Sequence, residues 1–348
     1  MPMPDDRGPA DTGACLVTGA TGLLGNNVVR RLVAAGRAVR VLARPTSPDG
    51  GPPLADLPVR PMVGRLDDEH ALQAAVDGAT GVVHAAALVH VGWRRAAEMH
   101  QINVEGTRRV AAAARRAGAR LVHVSTVDAI GLRTDGRPAD EETPPSGMPP
   151  CPYVLTKRAA EAAVLEEVAK GLDAVIVSPV YMIGPWDWRP SSGRMLLEVA
   201  AGRGLFAPPG RNDFVDVRDV AEGVLAALEC GRAGRRYILG GHALSYLEAW
   251  RIFARVTGRR PPIGLAPRPF VRVAGWCGDL AGLLLGHELD VNSAATAVAL
   301  LAHNFDCGRA RRELGYDCRP LEDAARDAWA WFRERGYAGR PGGGTTIN

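Results

Sequence analysis

Residues 16–36, LVTGATGLLGNNVVRRLVAAG, constrain the fold more than any other stretch. An apolar run ends in a glycine turn, and the turn opens directly into a helical pattern. Gly19, Gly22 and Gly25 are spaced G-x-x-G-x-x-G. The first glycine permits the tight turn, the second lets backbone approach a pyrophosphate, and the third lets helix and strand pack closely. Unpaired amides at the helix start then face the phosphates. A glycine pattern alone is weak evidence, but a strand before it and a helix after it are the context that the mechanism requires. The chain is expected to hold a dinucleotide.

The rest of the sequence extends that unit. Short β-branched runs alternate with long alanine-rich helical patterns, which signals βαβ units and a parallel sheet. Strands are expected at ACLVTG (14–19), AVRVLA (38–43), PVRPMV (58–63), GVVHAA (81–86), RLVHVST (120–126) and DAVIVSP (173–179). Helices are expected over 23–35, closed by Gly36, and over 95–117, closed by Gly118. After Pro179 the alternation breaks into the loop YMIGPWDWRPSSG, a helix, a strand pair around NDFVDV and RRYILGG, and mostly helical sequence. The fold class is therefore α/β: a doubly wound parallel sheet (Rossmann) with a smaller, mostly helical C-terminal substrate domain. Residues 13–180 and 214–243 are assigned to the nucleotide-binding domain and 181–213 and 244–338 to the substrate domain. Residues 1–12 and 339–348 read as disordered tails.

Composition excludes several classes. The 348 residues suffice for a large core, and the net charge of +4 is spread along the chain, so no nucleic-acid partner is inferred. Six cysteines form no C-x-x-C pair and read as reduced thiols of a cytoplasmic protein; no cluster has metal-ligand spacing. The N-terminal stretch has no apolar h-region. Residues 271–286 are the most apolar, but are too short for a spanning helix and carry Arg272 and Asp279. The wider segment 266–286 is broken at its start by two prolines and reads as a mobile lid, a shallow membrane-facing element or an ordinary core helix.

PYVLTK, residues 152–157, puts Tyr153 and Lys157 four residues apart at a helix start. The chain holds only two lysines, Lys157 and Lys170; every other basic residue is arginine. A lysine kept here suggests a task for a compact charge on a thin stem, which a planar guanidinium cannot perform. A second constraint comes from VRVLARPTS, which places Arg44 after the second strand with no carboxylate until Asp49. An acid there would accept the ribose hydroxyls of NAD, whereas a cation suits a 2′-phosphate. NADP(H) is favoured, with NAD(H) left open.

Taken in order, TGATGLLG, VVHAAA, NVEGT, VSTVDAIG, YVLTK, SPVYMIGP, DFVDVRDVA and FDCGRARRELGY resemble the extended short-chain dehydrogenase/reductases, over nearly the whole chain. Within that superfamily the sequence looks most like the branch of dihydroflavonol reductases, 3β-hydroxysteroid dehydrogenases and hopanoid-associated sugar epimerase-like proteins. The resemblance implies a catalytic set of Tyr153, Lys157 and Thr126, with Ser125 beside it and Asn103 as the helix asparagine that steadies the region. Lys157 would favour the Tyr153 phenolate and contact the nicotinamide ribose, and Thr126 would bond the substrate oxygen. For the cofactor it implies Gly19, Thr21, Gly22, Leu23, Leu24, Gly25, Arg44, Leu66, Ala85, Ala86, Ala87, Tyr153, Lys157, Pro179 and Val180. His84 reads as packing. Trp93, Asp128, Trp186, Trp188 and Phe206 are candidates for the substrate wall.

Departures narrow the reaction. Arg65 precedes Leu66 where an acidic residue often holds adenine, leaving Asp67 or backbone atoms to serve. Thr126, Val127 and Asp128 replace the Thr-Asp-Glu of sugar-nucleotide dehydratases. Asn212 stands where nucleotide-sugar epimerases place a diphosphate-gripping arginine. The expected protein is an NADP-dependent oxidoreductase, monomer or homodimer, interconverting a ketone and a secondary alcohol on an apolar small molecule. A sugar epimerase and a non-catalytic nucleotide-sensing protein are the alternatives.

Overall fold

The computed structural model describes residues 13–337; both expected tails lie outside them. Twelve strands are described, β1 (Cys15–Thr18), β2 (Val39–Ala43), β3 (Arg60–Val63), β4 (Gly81–His84), β5 (Arg120–Val124), β6 (Ala174–Pro179), β7 (Tyr181–Ile183), β8 (Phe206–Ala207), β9 (Arg211–Asp216), β10 (Arg236–Leu239), β11 (His242–Ser245) and β12 (Gly264–Leu265). Seven form one parallel sheet in the order β10-β6-β5-β4-β1-β2-β3. The sequence accounts for this. Val, Ile and Leu fill β1, β4, β5 and β6, whose residues are almost all buried, as strands covered on both faces must be.

Helices Leu23–Ala34 and Val217–Cys230 cover one face through Val28, Val29, Leu32, Val220 and Val224. Helices Glu69–Val76, Gly106–Ala117 and Pro152–Val168 cover the other through Leu72, Val110 and Val164. Strand order reverses between β1 and β4, so a crevice opens at their carboxyl ends, where doubly wound sheets bind ligands.

The chain then leaves the large sheet without a turn, β6 running through Val180 into β7. A three-stranded sheet of order β11-β9-β7 follows. Helices Tyr246–Thr257 and Leu321–Glu334 pack there around Phe214, Phe253 and Phe332. The strand pair expected from NDFVDV and RRYILGG is corrected: the first is β9 of the small sheet and the second is β10 at the edge of the large one.

The long helix after β4 also differs from expectation. It is Ala96–Met99, a π turn His100–Glu105, then Gly106–Ala117, ended by Gly118 in the left-handed conformation at φ +67. Such turns insert one residue into a helix and re-aim the side chains around it. Asn103 lies inside this one.

Candidate active site

Gly19 takes φ +71, and a Cβ there would stand 2.6 Å from Ala86 N. A Cβ on Gly25 would stand 2.2 Å from Gly19 O. Both positions are closed to any other residue, so the glycine turn, the 85–87 loop and the helix start are pressed together. Gly22 is exposed and caps a helix with no side-chain cap and no acid in its first turn. The first amides of that helix have no intrahelical acceptor. These are the properties of a cradle for an anion, and a dinucleotide pyrophosphate fits it. Thr21 belongs to the same turn and Leu23 and Leu24 open the helix after it, while Pro179 ends β6 and Val180 follows it.

At the carboxyl end of β2, Arg44 is exposed and makes no ion pair among the described residues. Asp49, the next acid, is engaged by Gly51 N at 2.9 Å. Asp67 accepts from Arg65 Nε at 3.0 Å in an exposed ion pair. Leu66 packs against Gly106, where a Cβ would meet its Cδ1 at 3.0 Å.

The reactive groups converge from β5 and the helix Pro152–Val168. Proline in its first turn sets the backbone of that helix, and Tyr153 follows. One turn later, Lys157 Nζ donates to Val124 O, the last residue of β5, at 2.7 Å. Ser125 and Thr126 come next in the chain. Thr126 Oγ1 accepts from Asp128 N at 3.2 Å, and Thr126 lies beside the Tyr153 hydroxyl.

Electrostatics depart from the sequence expectation. Burial pushes the Tyr153 phenol up, Asp128's charge adds to it, and the neighbouring Thr126 hydroxyl only partly opposes them. The pull of Lys157 toward the phenolate is not what sets this group. Burial instead lowers Lys157 to about 8, with Glu161's charge opposing. Tyr153 is thus held as a neutral donor beside Thr126.

Glu161 is a site residue that the sequence reading misses. It is buried, accepts from Ser125 Oγ and pairs with Arg236. Tyr153, Lys157 and Glu161 are spaced i, i+4, i+8 on one helix face, and that spacing is its only signal. Asn103 clamps the loop after β4 with both ends of its amide: Oδ1 accepts from Leu88 N at 2.7 Å, and Nδ2 donates to Leu88 O at 3.0 Å and to Thr156 Oγ1 at 3.2 Å.

His84, expected as packing, is buried and neutral, lowered to about 3 by burial and then by Lys157's charge. Thr107 Oγ1 donates to Asn103 O at 2.6 Å, so it accepts from His84 Nε2 at 3.0 Å. The His84 Nδ1 atom then accepts from Thr18 Oγ1 at 2.7 Å. A single hydrogen-bonded line joins the ends of β1 and β4 to the π turn.

On the substrate side, His303 Nε2 lies 3.6 Å from Asp128 Oδ1, and Asn212 Nδ2 donates to Tyr246 Oη at 3.1 Å. His303 and Tyr246 come from the C-terminal third and carry no motif. Trp186, at φ +71, and Trp188 pack on Trp331 with ring centroids 6.0 and 5.3 Å away, and Arg30 lies 3.2 Å over Trp186. Those two half-buried indoles pack against the core of the smaller unit. Trp93 instead donates through Nε1 to Ser293 Oγ at 2.8 Å, and Phe206 is exposed on β8.

A glycine cradle at the switch point and a Tyr–Lys–Thr cluster beside it define a nucleotide-dependent oxidoreductase. Residues 15–240 match the family model described as NAD dependent epimerase/dehydratase family. Sterol demethylase protein B of Methylococcus capsulatus is 36% identical over 325 residues, covering 92% of this chain and 98% of that protein. A putative dihydroflavonol 4-reductase of Synechocystis is 34% identical over 331 residues, covering 92% and 95%. The solved structure of a nucleoside-diphosphate-sugar epimerase from Pseudomonas aeruginosa superposes with a TM-score of 0.75 at 28% identity, over 93% of this chain and 99% of that one. The chain belongs to the NAD-dependent epimerase/dehydratase family of extended short-chain dehydrogenase/reductases and is an NAD(P)-dependent oxidoreductase.

Proposed function

We propose that this enzyme reduces a ketone on an apolar small molecule to a secondary alcohol, with NADPH as reductant. The observation that carries the reading is the meeting of the buried Tyr153 and Lys157, one turn apart on a helix, with Thr126 at the end of β5, where Lys157 Nζ donates to Val124 O at 2.7 Å. The glycine turn of Gly19, Gly22 and Gly25, with Arg44, would hold NADPH, which when bound would supply the hydride for the carbonyl carbon. Thr126 donates to the carbonyl oxygen as negative charge builds there, and Tyr153 gives that oxygen its proton. Lys157 spends one N–H on Val124 O and keeps two donors for ribose hydroxyls. Asn103 fixes the Leu88 backbone that borders the cleft.

Arg44 without an acid beside it supports NADP over NAD. Asn212 supports reduction over nucleotide-sugar epimerisation. It is buried against Tyr246, so its position offers a diphosphate no cation. Relatives named for sterol demethylation and dihydroflavonol reduction agree with an apolar substrate. The epimerase among the structural neighbours favours the second reading, in which hydride returns to the same sugar.

The test is to incubate the enzyme with a panel of apolar ketones and NADPH deuterated at nicotinamide C4. Deuterium should appear on the carbinol carbon of one product, with equal NADPH consumed. If every ketone fails while a nucleotide sugar is epimerised, the second reading holds.

A further inference from the structure

The helix Arg268–Leu285 inverts the usual arrangement of a surface helix. Its only buried residues are Gly275, Gly278 and Gly282. A Cβ on Gly275 would stand 2.1 Å from Thr296 Oγ1, and one on Gly278 would stand 1.7 Å from Val291 O. The glycine stripe therefore lets the helix lie flush on residues 287–292 and on helix Ser293–Ala299, with no room for a larger side chain. On the opposite face Val273, Trp276, Leu280, Leu283 and Leu284 recur at i, i+3, i+4 spacing and point outward. Phe270 is 72% exposed, Trp276 64% and Leu284 79%. The open choice left by the sequence is thereby narrowed: this is not a core helix. A contiguous apolar ridge of this kind marks an interaction surface.

Charge says what covers it. Arg268 and Arg272 are exposed in the first turns of this helix and Arg259 and Arg260 are exposed in the segment that leads to it; among the described residues none of Arg259, Arg260 and Arg272 pairs with a carboxylate. The sole acid in 259–286 is Asp279, whose Oδ1 is turned inward to accept from Ser293 N at 3.0 Å. A second copy docking face to face would set these arginines against one another, because a two-fold contact pairs the same patch on both partners. Anionic headgroups match them, while the upper acyl region takes indole and leucine side chains.

We propose that this face docks on an anionic membrane surface, with the helix lying in the interface plane. No helix among the described residues is long and apolar enough to cross a membrane, so the contact is peripheral. The docked element is fastened to the loop after β4. Glu288 Oε2 shares a hydrogen bond with His90 Nε2 at 2.5 Å, Glu288 Oε1 accepts from Trp93 N at 2.8 Å, and Asn292 Nδ2 donates to Val91 O at 2.9 Å. That loop borders the cleft, so the membrane and the site share a rim. The contact itself does not depend on which reaction the site performs.

Flotation of the full-length protein with vesicles tests it, comparing phosphatidylcholine alone with phosphatidylcholine containing phosphatidylglycerol. The protein should float with the anionic vesicles and bind neutral ones about tenfold less. A Trp276→Ser/Leu280→Ser/Leu284→Ser variant should lose about tenfold or more of the binding with an unchanged melting temperature, since those side chains are exposed. Arg259→Gln/Arg260→Gln/Arg272→Gln should lose the preference for anionic lipid. Absence of flotation with both vesicles overturns the proposal, as does undiminished binding of the serine variant. Sedimentation of the wild type as a dimer that the serine variant dissociates, with no vesicle binding, would assign the face to a second copy instead.

Discussion

Lys157 Nζ is fixed on the Val124 carbonyl at 2.7 Å, so the ammonium sits at the end of β5 rather than on the Tyr153 oxygen. Burial lowers this lysine to about 8 and Glu161 opposes the fall. A lysine with a lowered pKa is charged below that value and loses its proton as pH rises through it. The reductive kcat/KM should therefore decline as pH passes about 8. Glu161→Gln removes the opposing charge and should move that limb down by about one pH unit. An identical profile in the variant would contradict the role given to Glu161.

Tyr153→Phe removes only the proton donor. Turnover should fall by about 10²- to 10⁴-fold while cofactor affinity stays within a few fold. Lys157→Met should damage both, because in the proposed reaction the ammonium also serves the ribose hydroxyls. Steady-state kinetics together with a cofactor titration separate the two variants. Near-full turnover in Tyr153→Phe would remove the phenol from the mechanism.

Much of this fold can be read from residues alone. The six strands of the alternating half are all present, because β-branched runs between glycine turns have few other uses. Gly36 and Gly118 end their helices at φ +71 and +67, as the C-terminal caps expected of them. The π turn at 100–105 is invisible in the sequence, since a one-residue insertion leaves apolar periodicity almost unchanged. Alternation announces β9 and β10 as strands but cannot name their partners. Trp186 and Trp188 are scarce residues at a strand end, and only packing reveals that Trp331 claims them. A lysine one turn away leads the sequence reading to place the Tyr153 phenol nearer neutrality. Burial and Asp128, neither legible from spacing, outweigh it.

Arg44→Asp replaces the cation at the end of β2 with the acceptor that NAD requires. The NADPH/NADH affinity ratio should fall by about tenfold or more, the scale of one charge-assisted hydrogen bond. Isothermal titration of both nucleotides into wild type and variant measures it. Equal wild-type affinities, or a ratio that the substitution leaves unmoved, would contradict NADP preference.

Asp187 is buried in the turn before helix Arg194–Ala200, accepting from Ser191 N at 3.1 Å and Gly193 N at 3.0 Å. Burial raises it from 3.8 to about 7 despite those bonds. A raised carboxyl binds its proton more tightly folded than unfolded, so its contribution to stability is present at low pH and is lost as pH rises through the folded value. Asp187→Asn removes that titration. Between about pH 4 and 8, stability should shift in favour of the variant by on the order of 1–4 kcal/mol. Denaturant melts of both proteins across that range give the difference, and a pH-independent difference would contradict it.

In the proposed reaction the nucleotide is a consumed reductant that must leave after each cycle. Denaturing the purified enzyme and quantifying the nucleotide it releases tests this most directly. The protein should be mostly empty, and it should oxidise one added NADPH per alcohol formed. Near-stoichiometric bound NAD, with no carbonyl-dependent oxidation of added NADPH, would contradict it and identify an epimerase.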